Sequence, residues 1–80
     1  MLREFVRTVQ GLRQDAGYKP GEVMTLMIDA LSFKAVLEKQ EALFKKEIGA
    51  SVIQWKRADK FDAELVTKVE GQEIWLAVRK

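Results

Sequence analysis

The sequence predicts an α+β domain with the element order α-β-α-β-β-β. Two helices are expected to pack on one mixed, mostly antiparallel sheet of about four strands. Apolar residues recur at helical spacing in two segments that end at glycine, whereas the remaining apolar segments are strand-like, most of them alternating with a period of two. Eighty residues with 48% hydrophobic and 32% charged side chains suffice for one core, so we expect a single domain over residues 1–80.

The first helix is expected over residues 2–16. Gly17 stands where a left-handed glycine commonly follows a helix, and Pro20 comes shortly after, so residues 18–21 predict a turn. The apolar face of this helix has spacings of three and four, and it consists of Leu2, Phe5, Val6, Val9, Leu12 and Ala16.

The next two elements are a strand and a second helix. Residues 22–30, EVMTLMIDA, have apolar side chains on both faces, which is typical of a central strand covered on both sides. The second helix is expected to follow Ser32 as its N-cap and to end at Gly49.

The remainder of the chain predicts strands. Residues 52–57, 65–69 and 74–78 alternate, and Glu70-Gly71 predicts a hairpin turn between the last two. Trp55 shares a face with Ile53 and is expected to be buried. Trp75 points away from its apolar neighbours and is expected to be the more exposed tryptophan, where it could stack an unpaired base; a place in the core is the alternative.

The composition excludes several kinds of active site. The chain has no cysteine and no histidine, which removes disulfides, thiol nucleophiles, imidazole bases and zinc clusters. No phosphate-binding or dinucleotide-binding glycine pattern occurs. Asp59 and Asp62 could hold a divalent cation, although a solvated charged loop is the commoner arrangement. We therefore expect no catalytic residue, no metal and no cofactor in this domain.

Composition also bears on location. The net charge is +2 with a pI of about 9.0, which is too mildly basic to imply nucleic acid by itself. No apolar run approaches the roughly 20 residues of a membrane span, and the N-terminal segment mixes charged with apolar residues, unlike a signal peptide. We expect a cytoplasmic protein without a membrane partner.

A basic face on the first helix is the candidate RNA-binding surface. Arg3, Arg7 and Gln10 lie roughly opposite the apolar face, Arg13 lies nearer its edge, and Lys19 extends the patch from the following turn. Arginine matches phosphate oxygens, and glutamine can reach bases or sugars. The alternative is an ordinary solvated helix face.

The segment at residues 3–18, REFVRTVQGLRQDAGY, resembles a recurring segment near the C-terminus of isoleucyl-tRNA synthetases. The strand, helix and hairpin that follow match the plan of that family, so the resemblance covers nearly the whole chain. The lack of zinc-binding cysteines is similar to the archaeal or eukaryotic type. The residues that carry the resemblance are Arg3, Glu4, Val6, Arg7, Val9, Gln10, Arg13, Ala16, Gly17 and Tyr18.

The resemblance implies a C-terminal accessory domain, excised from a larger synthetase, that assists binding of isoleucine tRNA near its anticodon. The parent enzyme joins isoleucine to tRNA using ATP, and neither of its HIGH and KMSKS motifs occurs here, so this chain alone is not expected to be an enzyme. Arg3, Arg7, Gln10 and Arg13 are the implied tRNA contacts. The alternative is a structural or protein-interaction module that docks on the upstream synthetase domains or dimerises through a sheet edge.

Overall fold

A computed structural model describes residues 2–19 and 21–80. Its elements follow the predicted order α-β-α-β-β-β, and the α+β class is confirmed. Pro20, in the predicted turn at residues 18–21, lies outside the described residues. The helices are α1 (Leu2–Asp15), α2 (Lys34–Lys39) and α3 (Glu41–Ile48), with a short 3₁₀ turn at Leu31–Phe33; the strands are β1 (Met24–Asp29), β2 (Ala50–Gln54), β3 (Ala63–Val69) and β4 (Gln72–Arg79).

The four strands form one mixed sheet in the order β2-β1-β4-β3. Strand β1 is parallel to β2 and antiparallel to β4, while β3 and β4 form an antiparallel hairpin. A parallel neighbour requires a crossover connection, which α2 and α3 supply between β1 and β2. In this register Leu26 faces Ile53 on one side and Val78 on the other, so β1 has the central position that its two apolar faces predict.

The main core lies between the helices and one face of the sheet. Phe5 of α1 is fully buried and meets the rings of Phe33 and Phe44 edge to face, with ring centroids 5.2 and 6.4 Å apart. These aromatic contacts join α1 to both halves of the crossover. They therefore fix the distance between α1 and α3, which sets the shape of the surface described below.

The second helix differs from its prediction in two respects. Ser32 is not an N-cap: it lies in the 3₁₀ turn, where the Phe33 amide donates to the Ala30 carbonyl at 2.9 Å, and α2 starts without a side-chain cap. The helix is also interrupted at Gln40, whose backbone (φ −119°, ψ 25°) is not helical. Leu37 and Phe44 are buried on either side of the break, so the apolar spacing continues across it and does not reveal it.

Strand β2 is shifted toward the N-terminus of its predicted range. It begins at Ala50, directly after Gly49, and ends at Gln54 rather than extending to residue 57. Trp55 consequently follows the strand and is half-buried against the main core rather than fully buried. Within the described residues, no helix has the length and apolar character needed to cross a membrane.

Candidate nucleic-acid interface

Arg3, Arg7 and Gln10 line one open groove between α1 and α3. It has a volume of about 550 Å³ and an apolar floor formed by Leu2, Val6 and Leu43. A second depression of about 630 Å³ shares Gln10 and Glu47 with it and continues to the C-terminal end of α3. We call the two together the α1–α3 groove. The four predicted residues on α1 all line this groove: Arg3, Arg7 and Gln10 line its first part, and Arg13 lines its second.

The cationic groups at the first part of this groove are unpaired within the described residues. Arg3 and Arg7 are exposed, and no carboxylate of residues 2–19 or 21–80 lies within ion-pairing distance of either. The side-chain amide of Gln10 donates to the Glu47 carbonyl at 3.3 Å, which orients the side chain and leaves its Oε1 as an acceptor. Two guanidinium groups and one oriented acceptor are therefore available to a ligand.

Two lysines that the sequence reasoning did not include line the second part of the groove. Lys45 and Lys46 come from the last turn of α3, where cations also complement the helix dipole. Only the packing of α3 beside α1 places them on the same surface as Gln10, so no local pattern could have identified them. Their positive charge is opposed within the lining by Glu47 and by Glu22.

Arg13 lines the second part of the groove and also holds the fold together. Its Nη1 donates to the Ile48 carbonyl at 2.5 Å and its Nη2 to the Glu22 carbonyl at 2.8 Å. The first bond satisfies one of the carbonyls that a helix leaves without an internal partner at its C-terminus. The guanidinium packs against Gly49, where a Cβ would overlap it and where φ is +70°. Arg13 therefore bridges α1, α3 and the segment before β1, and its predicted contact with tRNA stays a prediction.

Tyr18 ties the end of α1 to the sheet. Its hydroxyl donates to Asp62 Oδ2 at 2.5 Å, and the Lys80 amide donates to the same oxygen at 3.1 Å. Burial of the ring and then this hydrogen bond raise the pKa of Tyr18, while the bonds from Tyr18 and Lys80 lower the pKa of Asp62. The Lys80 ammonium also pairs with Glu22 and lowers the pKa of that carboxyl. Asp62 thus has a structural role.

Trp75 is buried, with 3% of its surface exposed, so the prediction that it is the more exposed tryptophan is wrong. Alternation on β4 does place it on the face opposite the helices, but residues 57–61 cover that face. Phe61 meets the indole edge to face at 6.0 Å, and the Arg57 guanidinium lies 5.6 Å from the ring centroid. The indole Nε1 donates to Glu64 at 2.8 Å. A ring packed in this way offers no open face to an unpaired base.

The remaining predicted site residue, Lys19, is exposed but is not among the residues that line the α1–α3 groove. A separate basic groove of about 460 Å³ lies on the opposite side of the sheet. Asp59 lines it, and Arg57 is already paired with Asp29 at 2.8 Å. Among residues 2–19 and 21–80, no three carboxylates form a group that could hold a metal ion. The cations of this second groove are Lys56, Arg57, Lys60 and Arg79.

The segment at residues 3–18 therefore divides into two parts. Its second part maintains the fold: Arg13 bridges carbonyls, Gly17 ends α1 at φ +79°, and Tyr18 binds Asp62. Its first part presents Arg3, Arg7 and Gln10 on the groove. In comparisons with known proteins, the chain matches no protein-family model and no curated protein sequence.

Proposed function

We propose that this chain is an RNA-binding accessory domain whose α1–α3 groove contacts the phosphate backbone of tRNA. The observation that carries the proposal is the exposure of Arg3 and Arg7, one helical turn apart and without an ion-pair partner among the described residues. A guanidinium matches phosphate oxygens two at a time. The free Oε1 of Gln10 can accept a hydrogen bond from a ribose 2′-hydroxyl or a base amino group.

The parent protein in this proposal is an isoleucine–tRNA ligase of the cytoplasm, with this chain as its C-terminal domain. The domain helps to hold isoleucine tRNA near the anticodon while upstream domains use ATP to attach isoleucine. The resemblance of residues 3–18 to that family supports this assignment, and so does the position of Arg3, Arg7 and Gln10 on one groove. The chain itself takes no part in the chemistry.

Binding through this groove should be electrostatic and weak in the isolated domain. Among the described residues that line the groove none is aromatic, so base stacking contributes nothing there. If four cations each neutralise one phosphate, the logarithm of the association constant should fall against the logarithm of salt concentration with a slope of about −3. The four cations are Arg3, Arg7, Lys45 and Lys46, since Arg13, the fifth cation of the lining, already donates to two backbone carbonyls.

The test is fluorescence anisotropy of labelled isoleucine tRNA with paired variants. Replacing Arg3 and Arg7 with glutamine should weaken binding about tenfold or more and reduce the salt slope by about 1.4. The control replaces Lys56 and Lys60 with glutamine, which removes the same charge from the opposite side of the sheet and should change affinity by less than about threefold. Equal losses in both variants, or no binding by the unaltered chain, would refute the groove as the RNA site.

Docking on upstream synthetase domains is a second candidate function for the same groove. The observation that favours it is the apolar floor, where Leu43 is 49% exposed beside Leu2 and Val6. Replacing Leu43 with glutamine separates the two functions, because it removes apolar area without altering charge. Loss of association with the upstream domains and unchanged tRNA binding would assign the floor to docking and the arginines to RNA.

A further inference from the structure

Strand β3 presents a free edge. The strand order β2-β1-β4-β3 places it at one end of the sheet, so its seven residues pair with β4 on one side only. Unpaired amide and carbonyl groups along such an edge can pair with another strand. Val66 lies near the middle of this edge and is 53% exposed.

The hairpin determines which backbone groups face outward. Glu70 (φ 50°) and Gly71 (φ 80°) form a two-residue turn, so Val69 and Gln72 are a hydrogen-bonded pair. Such pairs alternate with non-hydrogen-bonded pairs along an antiparallel ladder. The outward-facing amide and carbonyl groups of β3 are therefore those of the residues opposite Ala77, Trp75 and Glu73, which are Glu64, Val66 and Lys68.

We infer that two copies of this chain associate by antiparallel pairing of their β3 strands, with the two-fold axis at Val66. In this register Val66 faces Val66 of the second copy, and Glu64 faces Lys68 of the second copy. The three outward residues then form three hydrogen-bonded pairs of two bonds each. The two four-stranded sheets become one continuous sheet, and the contact is self-complementary, as a two-fold interface requires.

Charge and apolar contact together favour this register over its neighbours. Opposite charges face each other at both Glu64–Lys68 positions, which favours cross-strand pairing. Moving the axis to Thr67 would place Glu64 against Glu70 of the second copy. Moving it to Leu65 would leave Val66 opposite Glu64. Like charges directly opposite each other are destabilising, and an apolar side chain opposite a carboxylate loses its apolar contact.

The side chain of Glu64 is compatible with this pairing. Its Oε2 accepts the Trp75 indole N–H at 2.8 Å, and its other oxygen has no hydrogen-bond partner among the described residues. That oxygen can receive the Lys68 ammonium of the second copy. None of the residues that line the α1–α3 groove lies on β3, so the self-association and the proposed RNA binding can be tested independently.

Charge reversal tests the register by sedimentation equilibrium of the whole chain at rising concentration. The unaltered chain should show concentration-dependent dimers. Lys68→Glu and Glu64→Lys should each weaken self-association about tenfold or more, whereas Lys39→Glu, an equal charge change on α2, should not. An equimolar mixture of the two β3 variants should restore dimers, because both facing pairs are then opposite in charge. A monomeric unaltered chain, or a mixture that fails to associate, would overturn the inference.

Disulfide formation provides a second readout, since the chain has no cysteine of its own. Hydrogen-bonded pairs have Cα atoms about 5.5 Å apart, within disulfide range. Val66→Cys should therefore form a covalent dimer under mild oxidation. Val52→Cys on the other edge strand, with a similar exposed fraction of 45%, is the matched control and should remain monomeric. Equal cross-linking of the two variants would contradict a specific β3 contact.

Discussion

Replacing Arg13 with glutamine should destabilise the fold by about 2–3 kcal/mol. The change removes two charge-assisted hydrogen bonds, to the Ile48 carbonyl at 2.5 Å and to the Glu22 carbonyl at 2.8 Å. Each such bond contributes about 1.5–3 kcal/mol, and the low end applies because the bonds are only partly buried and glutamine can retain one of them. In a domain of this size the melting temperature should fall by about 10–20 °C.

Urea and thermal unfolding, followed by circular dichroism, measure this loss. Arg7→Gln is the control, because it makes the same chemical change on an exposed position of the same helix and should alter stability by less than about 0.5 kcal/mol. The effects on tRNA binding should be reversed: Arg7→Gln should weaken binding and Arg13→Gln should not, since only Arg7 is proposed to contact RNA. A loss for Arg13→Gln no larger than the control's would refute its structural role.

Three further predictions concern packing, backbone and pH. Phe44→Ala should cost about 3–5 kcal/mol in urea unfolding, because Phe44 is fully buried; a loss below about 1 kcal/mol would contradict the core described. Gly49→Ala should cost about 1–2 kcal/mol or more in thermal unfolding, because φ is +70° and a Cβ would overlap the adjacent guanidinium; an unchanged melting temperature would exclude that strain. The folded pKa values of Asp62 and Glu22 lie below the ordinary values of 3.8 and 4.5. The stability that these two carboxylates contribute is therefore present above the ordinary pKa values, and it is lost as pH falls through the folded pKa values. The raised pKa of Tyr18 affects stability at alkaline pH. The stability that Tyr18 contributes is complete below pH 10.0 and is lost as pH rises through the folded pKa. Denaturant unfolding across pH tests both signs, and Tyr18→Phe should flatten the alkaline limb.

Local patterns were sufficient to predict most of the fold. Helix α1 and the β3–β4 hairpin follow from apolar spacing and from the residues that end them, Gly17 and Glu70-Gly71, because these signals act within a few residues. The interruption of the second helix at Gln40 is not predictable from the sequence pattern, because the apolar spacing continues on both sides of it. Ser32 has a capping side chain, but the chain forms a 3₁₀ turn there instead.

The candidate site was predictable only where a side chain depends on its own element. Arg3, Arg7 and Gln10 are exposed on α1, as the helical pattern predicts. The pattern of α1 does not reveal the role of Arg13 in the fold, because its acceptor at Ile48 lies 35 residues away in the sequence. Alternation predicts the correct face of β4 for Trp75, but it carries no information about a loop that folds over that face.

Nuclear magnetic resonance titration of the isotopically labelled chain with isoleucine tRNA, and with an unrelated tRNA, would locate the RNA site. RNA binding through the α1–α3 groove predicts salt-sensitive shifts of the Gln10 side-chain amide, the N-terminal half of α1 and the last turn of α3, larger with isoleucine tRNA. Shifts confined to Lys56, Lys60 and Arg79 on the opposite side of the sheet, or no shifts with either tRNA, would contradict it.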